Sequence, residues 1–104
     1  MALDTLGGQL DPLLLATVAE EPAHGYAILQ RLRERSGGAF DLAEGTIYPA
    51  LHRLERDGLL ESSWSTQSGR RRRVYRVTRA GRAALQTRRR EWTRFAHAVE
   101  AVLG

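Results

Sequence analysis

Apolar residues recur at helical spacing in three successive segments, alternate through a short fourth region, and return to helical spacing at the end of the chain. The first segment holds Leu13, Leu14, Leu15, Val18 and several alanines, and stops before Pro22. Asp11-Pro12 reads as its start, with Asp as N-cap and Pro at the first helical position. A helix this apolar is either central to the core or shared with a partner. A second helix opens at His24-Gly25-Tyr26 and runs to about Ser36, with Ile28, Leu29 and Leu32 inward and Gly37-Gly38 as its stop. Phe40 and Leu42 lead into a third, Glu44 to Gly58, in which Ile47, Leu51 and Leu54 share one stripe. Asp41 and Glu44 have capping-box spacing, which leaves the start of this helix open by a turn. Pro49 cannot donate a backbone hydrogen bond, so it belongs in or near the first turn, or marks a kink.

The fourth region reads as two strands. Leu59–Trp64 is followed by the turn Ser65–Gly69 and by Arg71–Val77, which is rich in β-formers. Thr78 then caps a long last helix, residues 79–103. The predicted fold is mainly α with a small β-hairpin. Three helices and the hairpin make a winged helix-turn-helix (11–78), preceded by a loosely ordered lead (1–10) and followed by a long C-terminal dimerisation helix (79–104). The third helix is the expected reader and the hairpin the wing.

Composition removes whole classes of function. A chain of 104 residues without cysteine has no thiolate chemistry, disulfide or cysteine metal site. His24, His52 and His97 lack partners at ligand spacing, so no metal or other cofactor is expected. No spacing of residues suggests catalysis, and no run approaches the roughly 18 apolar residues of a membrane span. The expectation is a cytoplasmic, non-enzymatic protein without a membrane partner. Charge is informative through its distribution. Residues 1–69 carry five Arg against ten acidic residues, whereas residues 70–94 carry eleven Arg and a single acid, Glu91. Such a concentrated basic segment calls for a polyanionic partner, here double-stranded DNA.

Several side chains are candidates for that contact. Thr46 and Tyr48 lie near the start of the third helix, where hydroxyls reach phosphate readily. The competing roles are a cap for Thr46 and packing against the second helix for Tyr48. Pro49, His52 and Arg53 point outward and are best placed to meet base edges. Arg53 is equally suited to an ion pair with Asp57. Tyr26 sits where the second helix crosses the DNA backbone, so it either touches phosphate or packs in the core. Arg70, Arg71, Arg72 and Arg73 at the hairpin tip suit an adjacent minor groove or phosphate, although strand alternation prevents all four from facing DNA. Arg88-Arg89-Arg90 points three ways around a helix and reads as solvated or salt-bridged surface.

These motifs resemble the PadR family of bacterial transcriptional regulators. The resemblance is carried by Leu13-Leu14-Leu15, His24-Gly25-Tyr26, the block Gly45-Thr46-Ile47-Tyr48-Pro49-Ala50-Leu51, Arg53-Leu54-Glu55, Asp57-Gly58-Leu59, the wing Gly69–Tyr75, and Tyr75 through Gly81. It covers about residues 10–85. The resemblance implies a homodimer on a pseudo-palindromic operator, usually as a repressor, with the last helix pairing the protomers as in the shorter subfamily. Trp92 falls where a multidrug-sensing member has a Trp flanking a pore at the dimer interface.

The last helix supports that pairing independently. Leu85, Trp92 and Val99 are seven apart, with Phe95 and Val102 at the intervening positions, a seam of coiled-coil type. Leu14, Leu85, Trp92, Phe95, Val99, Val102 and Leu103 are the expected dimer contacts. Trp92, Phe95, Ala96 and Val99 are the expected wall of a site for an aromatic or hydrophobic small-molecule effector. A plain interface anchor is the alternative role for Trp92. Ala96, rather than an acid, stands one turn after Trp92, which argues against a cationic ligand. The expected function is a dimeric repressor released from its operator by that effector, bound at the dimer interface. The alternative is a non-specific architectural DNA binder without one.

Overall fold

The computed structural model describes residues 7–104; the lead before Gly7 lies outside the described residues. Four α-helices and three short strands follow a 3-10 turn at Gly7–Gln9. They are α1 (Leu10–Glu20), β1 (Ala23–His24), α2 (Gly25–Arg35), α3 (Glu44–Arg56), β2 (Leu60–Gln67), β3 (Arg70–Val77) and α4 (Arg79–Leu103). The strands form one antiparallel sheet in the order β1-β3-β2.

The apolar stripes meet as their spacing requires. Leu14, Leu15 and Val18 of α1, Ile28, Leu29 and Leu32 of α2, and Ile47, Leu51 and Leu54 of α3 are buried together with Leu42, Leu60, Tyr75 and Leu85. Ala50 of α3 belongs to the same core. The only buried polar side chain among the described residues, Thr17, donates from Oγ1 to the Leu13 carbonyl at 2.7 Å. Arg31 of α2 donates to the carbonyls of Thr17 and Glu21 at 3.2 and 3.0 Å, which holds the two helices together at the end of α1.

Several local expectations are corrected. α1 begins two residues early, with Gln9 rather than Asp11 at the N-cap. Asp11 lies inside the first turn, where its charge still suits the helix dipole. Part of the expected lead is therefore helical: residues 7–9 form the 3-10 turn and Leu10 opens α1. The Asp41–Glu44 capping box does not form. Ala43 is the N-cap of α3 without a side-chain cap, and Asp41 pairs with Arg33 at 3.4 Å. Pro49 sits in the sixth position of α3 and supplies no N–H to the Gly45 carbonyl. The hairpin is tighter than expected. Gln67 pairs with Arg70, so only Ser68 and Gly69 remain in the turn, at φ 53° and 77°. Two left-handed residues are the signature of a two-residue turn whose twist matches the strands, and both strands lengthen accordingly. Strand β1 was not expected at all; its two residues pair with Tyr75 and Val74.

α4 begins as predicted, with Thr78 Oγ1 accepting from the Gly81 N–H at 3.0 Å. Gly81 is required there: a Cβ at that position would lie 2.1 Å from the Leu59 carbonyl oxygen, a backbone atom that cannot swing aside. This close approach seats the start of α4 on the base of the wing. Beyond Leu85, α4 runs out of core, and Trp92, Phe95, Val102 and Leu103 are exposed.

Candidate nucleic-acid interface

The start of α3 is open. Thr46 and Ile47 donate to the Ala43 carbonyl, and no side chain caps the end, so the N–H groups of Glu44 and Gly45 have no partner within the helix. These donors, with the positive end of the helix dipole, suit an anion. Gly45, Pro49, His52 and Arg56 are exposed on the side opposite the buried stripe. Thr46 and Tyr48 are half-buried on its flanks. Thr46 does not cap the helix. Tyr48 packs against the second helix, and a Cβ on Gly25 would come within 2.2 Å of its ring. Burial, and then Glu44, push the Tyr48 phenol above its ordinary value, so it remains a neutral hydroxyl able to donate.

Arg53 does not take the ion pair expected of it. It is ion-paired with Asp11 of α1, not with Asp57, whose carboxylate lies 3.8 Å from Arg56. The reader helix is thereby tied to the first helix through its own outward side. Tyr26 is 46% exposed, so the core-packing role is ruled out, and its hydroxyl accepts from Gln30 at 3.2 Å.

The four wing arginines divide by strand alternation. Arg71 and Arg73 lie over the ring of Trp64, at 4.6 and 5.3 Å from its centroid. Arg73 also donates to Ser62 Oγ at 2.7 Å and approaches Glu55 of α3 at 3.8 Å. Ser62 in turn donates to Glu55 at 2.6 Å, so the wing is fastened to the C-terminal half of α3. Arg72 turns to the other face and lies 3.2 Å from Nε2 of His24. Arg70 is exposed at the tip. His24 is the N-cap of α2, its Nδ1 accepting from the Ala27 N–H at 3.3 Å. Desolvation first, then Arg72 and Arg31, hold its pKa below the usual imidazole value.

The residues expected at the dimer seam separate into two groups. Leu14 is 0% exposed and offers no surface to a partner, and Leu85 is buried in the same core with only the part of it that lines a groove left open. The sequence pattern could not separate a stripe that packs within the chain from one that packs outside it. Trp92 and Phe95 are 53% and 58% exposed, with ring centroids 5.7 Å apart. Val102 and Leu103 continue the exposed apolar edge. Between α1 and α4 runs an apolar groove of about 590 Å³, lined by Pro12, Leu13, Ala16, Phe40, Leu85 and Trp92 among others. Of the expected effector wall only Trp92 lines it. Phe95 borders a smaller hollow of about 240 Å³, and Ala96 and Val99 line neither. Arg88 and Arg89 close one side of the groove, and Arg88 is fixed by Glu91 at 3.3 Å and by the Gly8 carbonyl at 2.8 Å. Among the described residues no helix is long and apolar enough to cross a membrane.

Sequence reasoning missed the Trp64 stack, the His24–Arg72 contact and the Arg53–Asp11 pair. The first was accessible in principle: a two-residue turn at Ser68-Gly69 fixes a register that sets Trp64 opposite Arg73. The other two depend on how α1 and β1 are placed in space.

Known proteins agree with this architecture. Residues 14–87 match the model of the transcriptional regulator PadR-like family. The transcriptional regulator Rv3488 of Mycobacterium tuberculosis is 48% identical over 77 residues, 74% of this chain and 69% of that protein. A PadR family transcription regulator from Clostridium difficile superposes with a TM-score of 0.83 at 34% identity, covering 93% of this chain and all of the other. A PadR family regulator from Eggerthella lenta gives 0.84 at 32% identity, over 99% of this chain and 88% of its own. The family is one of regulators, not of enzymes. With its reader-type third helix, arginine-bearing hairpin and long last helix, this chain belongs to the PadR family of transcriptional regulators.

Proposed function

We propose that the protein is a cytoplasmic, dimeric repressor that binds a pseudo-palindromic operator and is released by a hydrophobic or aromatic small molecule held between α1 and α4. The observation that carries the DNA-reading role is the uncapped start of α3 beside a wing rich in arginine. In this reading Thr46, Tyr48 and the N–H groups of α3 fix the helix on phosphate. Pro49 and His52 meet base edges, and the wing arginines grip the adjacent backbone. Arg53 joins them only by leaving Asp11. Residues 11–78 act as the DNA-binding unit and 79–104 as the pairing unit, with Trp92, Phe95, Val102 and Leu103 at the seam. Exposed aromatic and aliphatic side chains in a continuous row on one helix support this pairing.

The effector reading rests on the groove beside Trp92. Ligand release of DNA requires the ligand to favour one protomer spacing over the other. A flat aromatic ligand is expected to quench Trp92 fluorescence and to weaken operator binding at matching concentrations. Trp92→Ala is expected to lose both effects while still binding the operator at protein concentrations that keep it dimeric. Quenching without any change in DNA affinity would contradict release by this route.

A further inference from the structure

We propose that Trp64 is a positioning residue for DNA contact, whose ring holds the Arg71 guanidinium in place to meet a phosphate of duplex DNA. The inference rests on α3 and the wing being the DNA-reading surface. The hairpin register sets Ser62 opposite Tyr75, Trp64 opposite Arg73 and Thr66 opposite Arg71. With side chains alternating along each strand, Trp64, Arg71 and Arg73 share one face of the wing. That face leads directly to α3, through Arg73, Ser62 and Glu55.

The ring is 56% exposed and lies outside the buried core, so packing does not account for a tryptophan there. What it does touch is cationic: Arg71 at 4.6 Å and Arg73 at 5.3 Å from the centroid. The electron-rich face of an indole attracts a guanidinium, and both arginines are within reach of the same ring. The two differ in what remains free. Arg73 uses its N–H edge on Ser62 and Glu55. The Arg71 guanidinium has no ion pair or hydrogen bond among the described residues, and its central carbon lies over the ring. All five of its N–H donors are therefore left without a protein acceptor there. A guanidinium held over an aromatic ring with its donors unspent suits bidentate contact with phosphate, with little side-chain entropy left to lose. Of the four wing arginines, Arg71 is therefore the one prepared for phosphate, and Trp64 prepares it.

Because a phosphate contact is independent of base sequence, random-sequence duplex DNA is a sufficient probe. Affinity would be measured across a salt series for wild type, Trp64→Ala, Trp64→Phe, Arg71→Ala and the double variant Trp64→Ala/Arg71→Ala, with thermal melting of each. Trp64→Ala is expected to lower affinity roughly tenfold, in line with loss of stacking on one or two guanidiniums. Arg71→Ala should do at least as much and reduce the salt slope by about one. The double variant should be no worse than Arg71→Ala alone, because the ring acts through that side chain. Trp64→Phe, which keeps an aromatic face, should restore most of the loss, and melting should be unchanged throughout. Wild-type affinity in Trp64→Ala, additive losses in the double variant, or a loss that follows a lowered melting temperature would each overturn the proposal. A wild-type protein with no salt-dependent DNA binding would instead remove the DNA-reading role beneath it, a failure visible before any variant is made.

Discussion

His24 performs two tasks that require a neutral imidazole. Its Nδ1 accepts the Ala27 N–H at the start of α2, and its ring lies beside the Arg72 guanidinium of the wing. A second proton would remove the cap acceptor and place two cations side by side. Burial, Arg72 and Arg31 accordingly lower its pKa from the ordinary 6.5. With a depressed native pKa, the unfolded chain takes up the proton first as pH falls. The stability associated with neutral His24 is thus complete above 6.5 and lost as pH drops through the native value. Melting temperature is expected to decline just below pH 6.5, above the carboxylate range, and His24→Asn, which retains a capping acceptor, should flatten that decline. An unchanged profile in His24→Asn would assign the pH dependence elsewhere. The sequence marks His24 as the opening of a helix. It does not reveal Arg72 as a neighbour, because the two residues meet only through the short strand β1, whose two residues carry no periodic signal of their own.

At the scale of elements, the stripes of α1, α2 and α3 were legible because each must bury one face, and Ile47, Leu51 and Leu54 do so as spaced. The uses of the polar faces were less legible. Arg53 has acids at several possible distances, and the partner it takes, Asp11, is set by how α1 crosses α3. The last helix shows the same limit in its apolar positions. Leu85 continues the heptad of Trp92 and Val99, yet it is buried within the chain, while Trp92 and Phe95 are left outside. Those exposed rings support the proposed pairing through α4. Phe95→Asp is expected to yield a monomer in sedimentation with the melting of the DNA-binding unit preserved, since Phe95 lies outside the protomer's core. Loss of the second half-site should weaken operator binding by roughly a hundredfold or more. A Phe95→Asp protein that remains dimeric would move the interface to another face.

The molecule as a whole measures 54 × 28 × 20 Å, with a basic second half and an acidic first half. The helix-turn-helix core and the wing are joined by Arg73, Ser62 and Glu55, so reader and wing are held as one surface. The first helix contributes to both ends of the proposed regulation: Pro12 and Leu13 line the groove beside Trp92, and Asp11 holds Arg53 of the reader. As proposed above, this surface reads sequence as a dimer. The most direct measurement is selection of bound duplexes from a randomised DNA pool, followed by comparison of the selected sequence with random DNA at fixed salt. A dimeric reader should select a pseudo-palindrome with half-sites about 34 Å apart and prefer it by roughly a thousandfold or more. A pool without consensus, and a ratio near one with a steep salt slope, would contradict it and leave arginine–phosphate attraction as the whole of the binding.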